Sequence, residues 1–266
     1  MKFLCYFLLI IFINYFTISK IEAIELLYNL QKDYIYTYSM SSISKGKLKP
    51  AGKQDWIERE PKKKTAEIFF HVFDILEKKD IGKIFVLEVK NLVKENDEET
   101  IIKISDKGSI IFENNEKKED FFRDFSKSRF VGLIFPEMPK ERVELDSKFK
   151  SIDIMMAFER DYNEFFPDKD VFVDDLKIIE HKTKKDIYIL TGSNGTKFEK
   201  RGIQYEYKFD RYYEYDTKIK MITLGKFCLQ KNTIPIDSDA AKERNARFSE
   251  EIWQIELLKI NEKNIK

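Results

Sequence analysis

Between Ile203 and Tyr215 the chain alternates: Ile203, Tyr205, Tyr207, Phe209, Tyr213 and Tyr215 interleave with Gln204, Glu206, Lys208, Asp210 and Glu214. Side chains of a β-strand point to opposite faces with a period of two, so this run reads as a half-buried antiparallel strand. Arg211 and Tyr212 interrupt the pattern, which predicts a bulge or a change of face between them. Asp216-Thr217-Lys218 then supplies a turn into a partner strand over Ile219 to Gln230.

The same grammar recurs along the chain. Tyr34, Tyr36, Tyr38 and Met40 share one face of a strand, and further strands are expected over 65–77, 83–94, 100–104, 109–113, 171–181, 185–191 and 248–260. Asp80-Ile81-Gly82 and Asp106-Lys107-Gly108 are short connections of hairpin type, and Gly192-Ser193-Asn194-Gly195 reads as another turn. One helix is expected from an Asn115 cap, with acidic residues in its first turn, Phe121, Phe122 and Phe125 on one side, and an end near Gly132. Residues 45–64 read as a long polar loop anchored by Trp56, and 232–247 as a second excursion with room for a helical turn. The expected fold is mainly β: one curved antiparallel sheet, a half-barrel or open barrel, with one or two short helices.

Residues 3–18, FLCYFLLIIFINYFTI, form an apolar run preceded by Lys2 and followed by the small-residue step Ile21-Glu22-Ala23. This is the construction of a secretory signal peptide. At about 16 residues the run falls short of the ~20 that span a bilayer, so cleavage after Ala23 is the reading, with an uncleaved outward-facing anchor as the alternative. The domain organisation is then 1–23 signal and 24–266 one β-rich domain.

Removing Lys2, Lys20 and Glu22 from 48 basic and 47 acidic residues leaves 46 of each. A neutral exported chain lacks the excess positive charge that nucleic acid or an anionic membrane surface selects. Cys228 is then the one cysteine left, which rules out an internal disulfide, and a buried small side chain is its expected role. Lysine outnumbers arginine, and Asn, Ile, Phe and Tyr are frequent, as in an AT-rich bacterial genome. Asn194-Gly195-Thr196 matches a glycosylation acceptor, which matters only in a eukaryotic secretory pathway.

Chemistry is sparse. His71 lies inside the apolar strand IFFHVF and His181 among charges, neither beside a nucleophile elbow, so Ser-His or Cys-His catalysis has no support. Two distant histidines and one cysteine make no zinc set. Asp168, Asp170, Asp174 and Asp175 lack the glycine and terminal glutamate of an EF-hand. No cofactor and no metal site is expected, catalysis is left open but not favoured, and no pair among the many carboxylates stands out for glycoside hydrolysis.

What remains is aromatic surface. Tyr36, Tyr38, Tyr205, Tyr207 and Phe209 lie on one-sided stripes, either packed as core or open as a groove for an acyl chain or other apolar ligand. IELLYNL and YIYTYSM as a first strand pair, the Phe121 helix, Phe135-Pro136-Glu137-Met138-Pro139 before Val143-Glu144-Leu145-Asp146, and the Tyr-x-Tyr-x-Phe-Asp strand at 205–210 together resemble the periplasmic lipoprotein-carrier half-barrels and related secreted bacterial proteins of unknown function. That resemblance implies an incomplete antiparallel barrel whose concave side, partly closed by helices, holds lipid. The expectation is an exported periplasmic or envelope protein that binds an apolar ligand through those five aromatic residues. The alternative is a structural or protein-interaction component of the envelope, partnered by another envelope protein and holding no ligand.

Overall fold

The first and last strands of this chain lie side by side. In the computed structural model, which describes residues 23–91, 100–111, 127–152, 173–237 and 243–263, β1 (Tyr34–Lys49) pairs antiparallel with β10 (Ala246–Glu262) along its whole length. From β1 one arm runs outward through β2 (Ile57–Lys78), β3 (Gly82–Asn91) and β4 (Thr100–Ser105). From β10 the other runs through β9 (Met221–Pro235), β8 (Ile203–Asp216), β7 (Ile187–Lys200), β6 (Val173–Glu180) and β5 (Lys148–Ile152). The result is one ten-stranded antiparallel sheet, curved and unclosed, with β4 and β5 at its edges. Strands this long twist, and a twisted sheet of ten curls.

The expected mainly-β, half-barrel fold is therefore present, with corrections in detail. Residues 45–64 are not a loop: β1 continues to Lys49 and β2 starts at Ile57, joined by a tight turn in which Lys53 N–H donates to Pro50 O. Most of that hairpin is solvated, so little apolar alternation marked it. Gly192-Ser193-Asn194-Gly195 is likewise not a turn. β7 passes straight through it, paired with Arg211 to Lys208 of β8, and the chain reverses at Arg201-Gly202, whose φ angles of 51° and 70° are those of a primed hairpin turn. No bulge separates Arg211 from Tyr212; the register of β8 against β9 shifts at Glu214/Tyr215 instead. Thus Arg211 occupies the inward position that the alternation assigned to a hydrophobe, and it is 3% exposed.

The connection from β4 to β5 joins opposite edges of the sheet, and in its described part a short helix with Phe135 and Met138 packs on the inner face. The Phe121 cluster of the expected helix lies outside the described residues. The described helix, α1 (Lys127–Ile134), runs through Gly132 rather than stopping there, and Val131, Leu133, Ile134 and Phe135 are buried. The N-terminal segment joins it. Leu26, Tyr28 and Leu30 alternate into the core as IELLYNL promised, but Ile24 bridges only to Val143 and the segment adds no strand to the sheet.

Aromatic edges lock these covering pieces to the sheet. Phe135 meets Tyr28 at 5.2 Å and Phe70 at 5.4 Å, and Phe70 meets Tyr38 at 6.0 Å, all nearly perpendicular. Each such pair contributes about 0.5–1.5 kcal/mol beyond burial. Gly108 makes the fit possible: its φ is +83°, and a Cβ there would lie 2.7 Å from the Pro136 carbonyl oxygen and 2.9 Å from the Tyr28 ring. Backbone hydrogen bonds complete the attachment, Tyr28 N–H to Asp106 O at 2.7 Å and Met138 N–H to Lys107 O at 2.7 Å.

Tyr215 fastens the N-terminal segment from below, donating to Leu27 O at 2.5 Å and accepting from Leu27 N–H at 3.3 Å. Burial raises its pKa from 10.0 to about 12. A phenol that holds its proton more tightly when folded contributes stability that is complete below the unfolded value and lost as pH rises through the folded one. The Tyr215 contribution to stability in urea unfolding should therefore be constant from neutral pH to about 10 and fall away between there and about 12. In Tyr215→Phe that decline should shrink, and about 1 kcal/mol should be missing at neutral pH for the lost buried hydrogen bond.

Candidate functional site

The inner face changes character along the strands. Cross-strand registers define its rows. Tyr36 faces Phe70, which faces Val89; Met40 faces Ile255, then Gly225, Tyr213 and Leu190. These apolar rows lie at the end covered by α1 and the N-terminal segment. Further along, Ser42 faces Trp253, then Phe227 and Arg211; Ser44 faces Lys62 on one side and Glu251 on the other, continuing to Leu229 and Phe209. Next come Arg59, Gly46, Ser249, Lys231 and Tyr207, and finally Ile57, Leu48, Arg247, Thr233 and Tyr205.

At this far end the face holds a cavity of about 740 Å³. Ser44 and Gly46 of β1, Arg59 and Lys62 of β2, and Leu229 and Lys231 of β9 line it, together with residues at the starts of β8 and β10. Its floor is low because the central positions are Ser44, Gly46 and Ser249, while longer side chains stand at the flanks.

The five aromatic residues singled out from sequence divide between the two ends. Tyr36 and Tyr38 lie in the packed end, 2% and 0% exposed, where the Tyr36 hydroxyl accepts from Gln31 N–H at 2.9 Å and the Tyr38 hydroxyl donates to Ile222 O at 2.8 Å. Burial raises both phenols. At the open end, Tyr205 lines the cavity and stacks on Phe198 at 5.0 Å. Tyr207 lies beneath, parallel to Phe198 at 6.1 Å and under the Lys231 ammonium at 5.2 Å; Phe209 stacks with Phe227 at 6.3 Å. Sequence reasoning missed Arg59 and Lys62, hidden in the supposed loop, and Leu229, Lys231 and Arg247. The alternation of β9 and β10 was the signal available for the last three.

Elsewhere, polar groups serve the sheet. Glu214 is nearly buried on the outer face, where it accepts from Lys184 at 2.6 Å and from the Tyr212 hydroxyl at 3.1 Å, with His181 Nε2 at 3.9 Å. Burial would push its carboxyl up, but the Lys184 ammonium and the Tyr212 hydroxyl outweigh it and hold the pKa below the ordinary value. This pins the 181–184 turn onto β8. His71 donates or accepts at 2.8 Å to Glu88 across the β2–β3 ladder. A second hollow, about 740 Å³ on the outer face near Cys228, has charges matched locally by Lys150–Asp175 at 2.7 Å and Lys208–Asp210 at 2.8 Å.

No family model and no curated protein matches the chain. Solved structures similar to it include one of lipid–protein interactions in lipovitellin, at 7% identity and a TM-score of 0.45, over 90% of this chain and 26% of that one. The chain thus spans about a quarter of lipovitellin's length. An outer-membrane channel from Pseudomonas putida F1 aligns at 5% identity and a TM-score of 0.17, over 90% of this chain and 98% of the channel. At these scores the site's own geometry has to carry any functional reading.

Tyr207 and Tyr205, two residues apart on one strand face, should respond differently to truncation. Tyr207→Ala empties a site that is 3% exposed and should cost about 3–5 kcal/mol in urea unfolding. Tyr205→Ala, at the half-buried cavity wall, should cost about 1 kcal/mol, the common value for a substitution outside the core.

Proposed function

We propose that this chain is an exported binding or carrier protein of the bacterial envelope, and that its ligand is an apolar or amphipathic molecule seated in the open end of the half-barrel. One observation carries the reading. Among the described residues, the helix and the N-terminal segment fill one end of the inner face, and the other end holds a cavity of about 740 Å³ bordered by Tyr205, Leu229 and Ile203. Ligand pockets fall in the range of about 300–1,000 Å³ and are concave; this one sets the Tyr205 ring among polar and charged side chains.

Within this reading Tyr205 contacts the ligand directly, and Tyr207 and Phe209 support the floor beneath it. Tyr36 and Tyr38 act at a distance by fixing the covered end. The export half rests on residues 1–23, of which 1–22 lie outside the described residues. Cleavage after Ala23 would leave intact the described pairings, which begin with Ile24 N–H to Val143 O at 2.7 Å.

Thr233 projects from the half-buried cavity wall, so Thr233→Trp should occupy the space without disturbing the sheet, tryptophan being well suited to a strand. The parent protein should bind the neutral dye N-phenyl-1-naphthylamine at one site, and the variant at least tenfold more weakly with an unchanged far-ultraviolet circular dichroism spectrum. Dye that binds parent and variant equally, or neither, would end this reading. N-terminal sequencing of the protein recovered from its host should begin at Ile24; a chain that starts at Met1 would replace a released carrier with an anchored one.

A further inference from the structure

The cavity wall does not share the neutrality of the chain. Basic and acidic residues number 48 and 47 overall, whereas the lining holds seven Lys or Arg side chains and three Glu. Two of the seven are engaged with the outer face: Lys45 lies 3.8 Å from Glu250, and the Lys47 ammonium stands 5.1 Å from the Trp56 ring and 5.4 Å from the Phe248 ring. Among those remaining, Arg59, Lys62, Lys231 and Arg247 come from three strands around the small-residue floor. Lys62 lies opposite Ser44, Arg59 opposite Gly46, Lys231 opposite Ser249, and Arg247 opposite Leu48. Among the described residues, no carboxylate is paired with Arg59, Lys62 or Arg247.

The apolar part of the same cavity is displaced from these cations. Leu229 lies on the row nearer the covered end, next to Phe209, while Tyr205 and Ile203 form the wall on the β8 side. A cationic side facing the aromatic wall of Tyr205 across a small-residue floor is complementary to a molecule with two unlike ends. Guanidinium groups present a fork suited to two oxygens of one anion, and ammonium groups add point charge without a fixed direction. Cations gathered in a concavity with low-dielectric walls focus their field on its mouth.

We propose that the ligand is an amphiphile with an anionic head, a phosphate or carboxylate held among Arg59, Lys62 and Arg247, and a hydrocarbon part laid against the half-buried Tyr205 ring on the β8 side. This rests on the binding function proposed above and names the chemistry of its ligand.

Calorimetric titration of the full chain with four probes, each below its micelle concentration, tests this: dodecyl phosphate, dodecyl maltoside, dodecyltrimethylammonium and inorganic phosphate. Dodecyl phosphate should bind at least tenfold more tightly than the other three, and the advantage should narrow as ionic strength rises from 0.01 to 0.15 M, because the cations are partly exposed and screened. The double variant Lys62→Gln/Arg247→Gln should bring dodecyl phosphate down to the level of dodecyl maltoside; the salt series on the parent protein decides the matter independently should that variant unfold. Equal affinity for the three amphiphiles would overturn the anionic head and leave the apolar ligand standing. Inorganic phosphate binding as tightly as dodecyl phosphate would overturn the amphiphile in favour of a free-anion site. Absence of binding by all four would remove the binding function itself.

Discussion

The ladder between β1 and β10 holds two otherwise separate sheets together. Without it, β1 to β4 would be a four-stranded meander and β5 to β10 a six-stranded one, each with an apolar face too narrow to wrap around anything. With it, Tyr38 and Met40 on one side and Ile255 on the other become the middle of a continuous inner face. Every feature of the cavity depends on this seam, since Ser44 and Gly46 belong to β1, Ser249 and Arg247 to β10, and the flanking cations to the strands next to them. Antiparallel pairing also sets the polarity of the face: both seam strands carry large apolar side chains toward the Tyr34 end and small or charged ones toward the Lys49 end.

An open half-barrel has no second sheet to pack against, and the chain answers with its own connections. The route from β4 to β5 joins opposite edges of the sheet, and α1 and Phe135, in its described part, lie on the inner face. Tyr28 and Phe135 interlock over Phe70, and the close approach at Gly108 admits no side chain. Among the described residues, α1 and the N-terminal segment lie over the apolar rows and not over the cationic ones. Leaving Arg59, Lys62 and Arg247 exposed at the hollow spares the penalty of burying charge.

Alternation made the sheet legible, and its exceptions were informative. The pattern of 203–215 identified the inward face correctly, and Arg211 fits it without a bulge once a cation is allowed inward. Residues 45–64 escaped because a strand solvated on both faces has no apolar period to detect. Gly192 to Gly195 escaped because turn-forming residues are tolerated in a strand whose partner continues past them: β8 pairs with all four, and Gly195 lies against the Tyr207 carbonyl oxygen. Ile24 to Leu30 had the right alternation for a strand, but the burial it encodes is met by packing instead. For the site, sequence fixed which side of each strand an aromatic occupies but not how far along the half-barrel it lies. Tyr38 and Tyr205 look equivalent in a pattern of period two; only the cross-strand registers separate a sealed row from an open one.

The seam has a further consequence in time. The strand at the centre of the sheet, β10, is the last of the ten to leave the ribosome, and its partner β1 is the first. Their residues are separated by some two hundred positions, so the contacts that define the fold are among its most distant in sequence and the slowest to find. A growing chain can form the β2–β3 or β8–β9 hairpins early, but it cannot assemble the inner face, or anything that face would hold, until synthesis has passed Ala246. The two arms of the sheet therefore wait on one late strand, and β1 stays without its β10 partner until then.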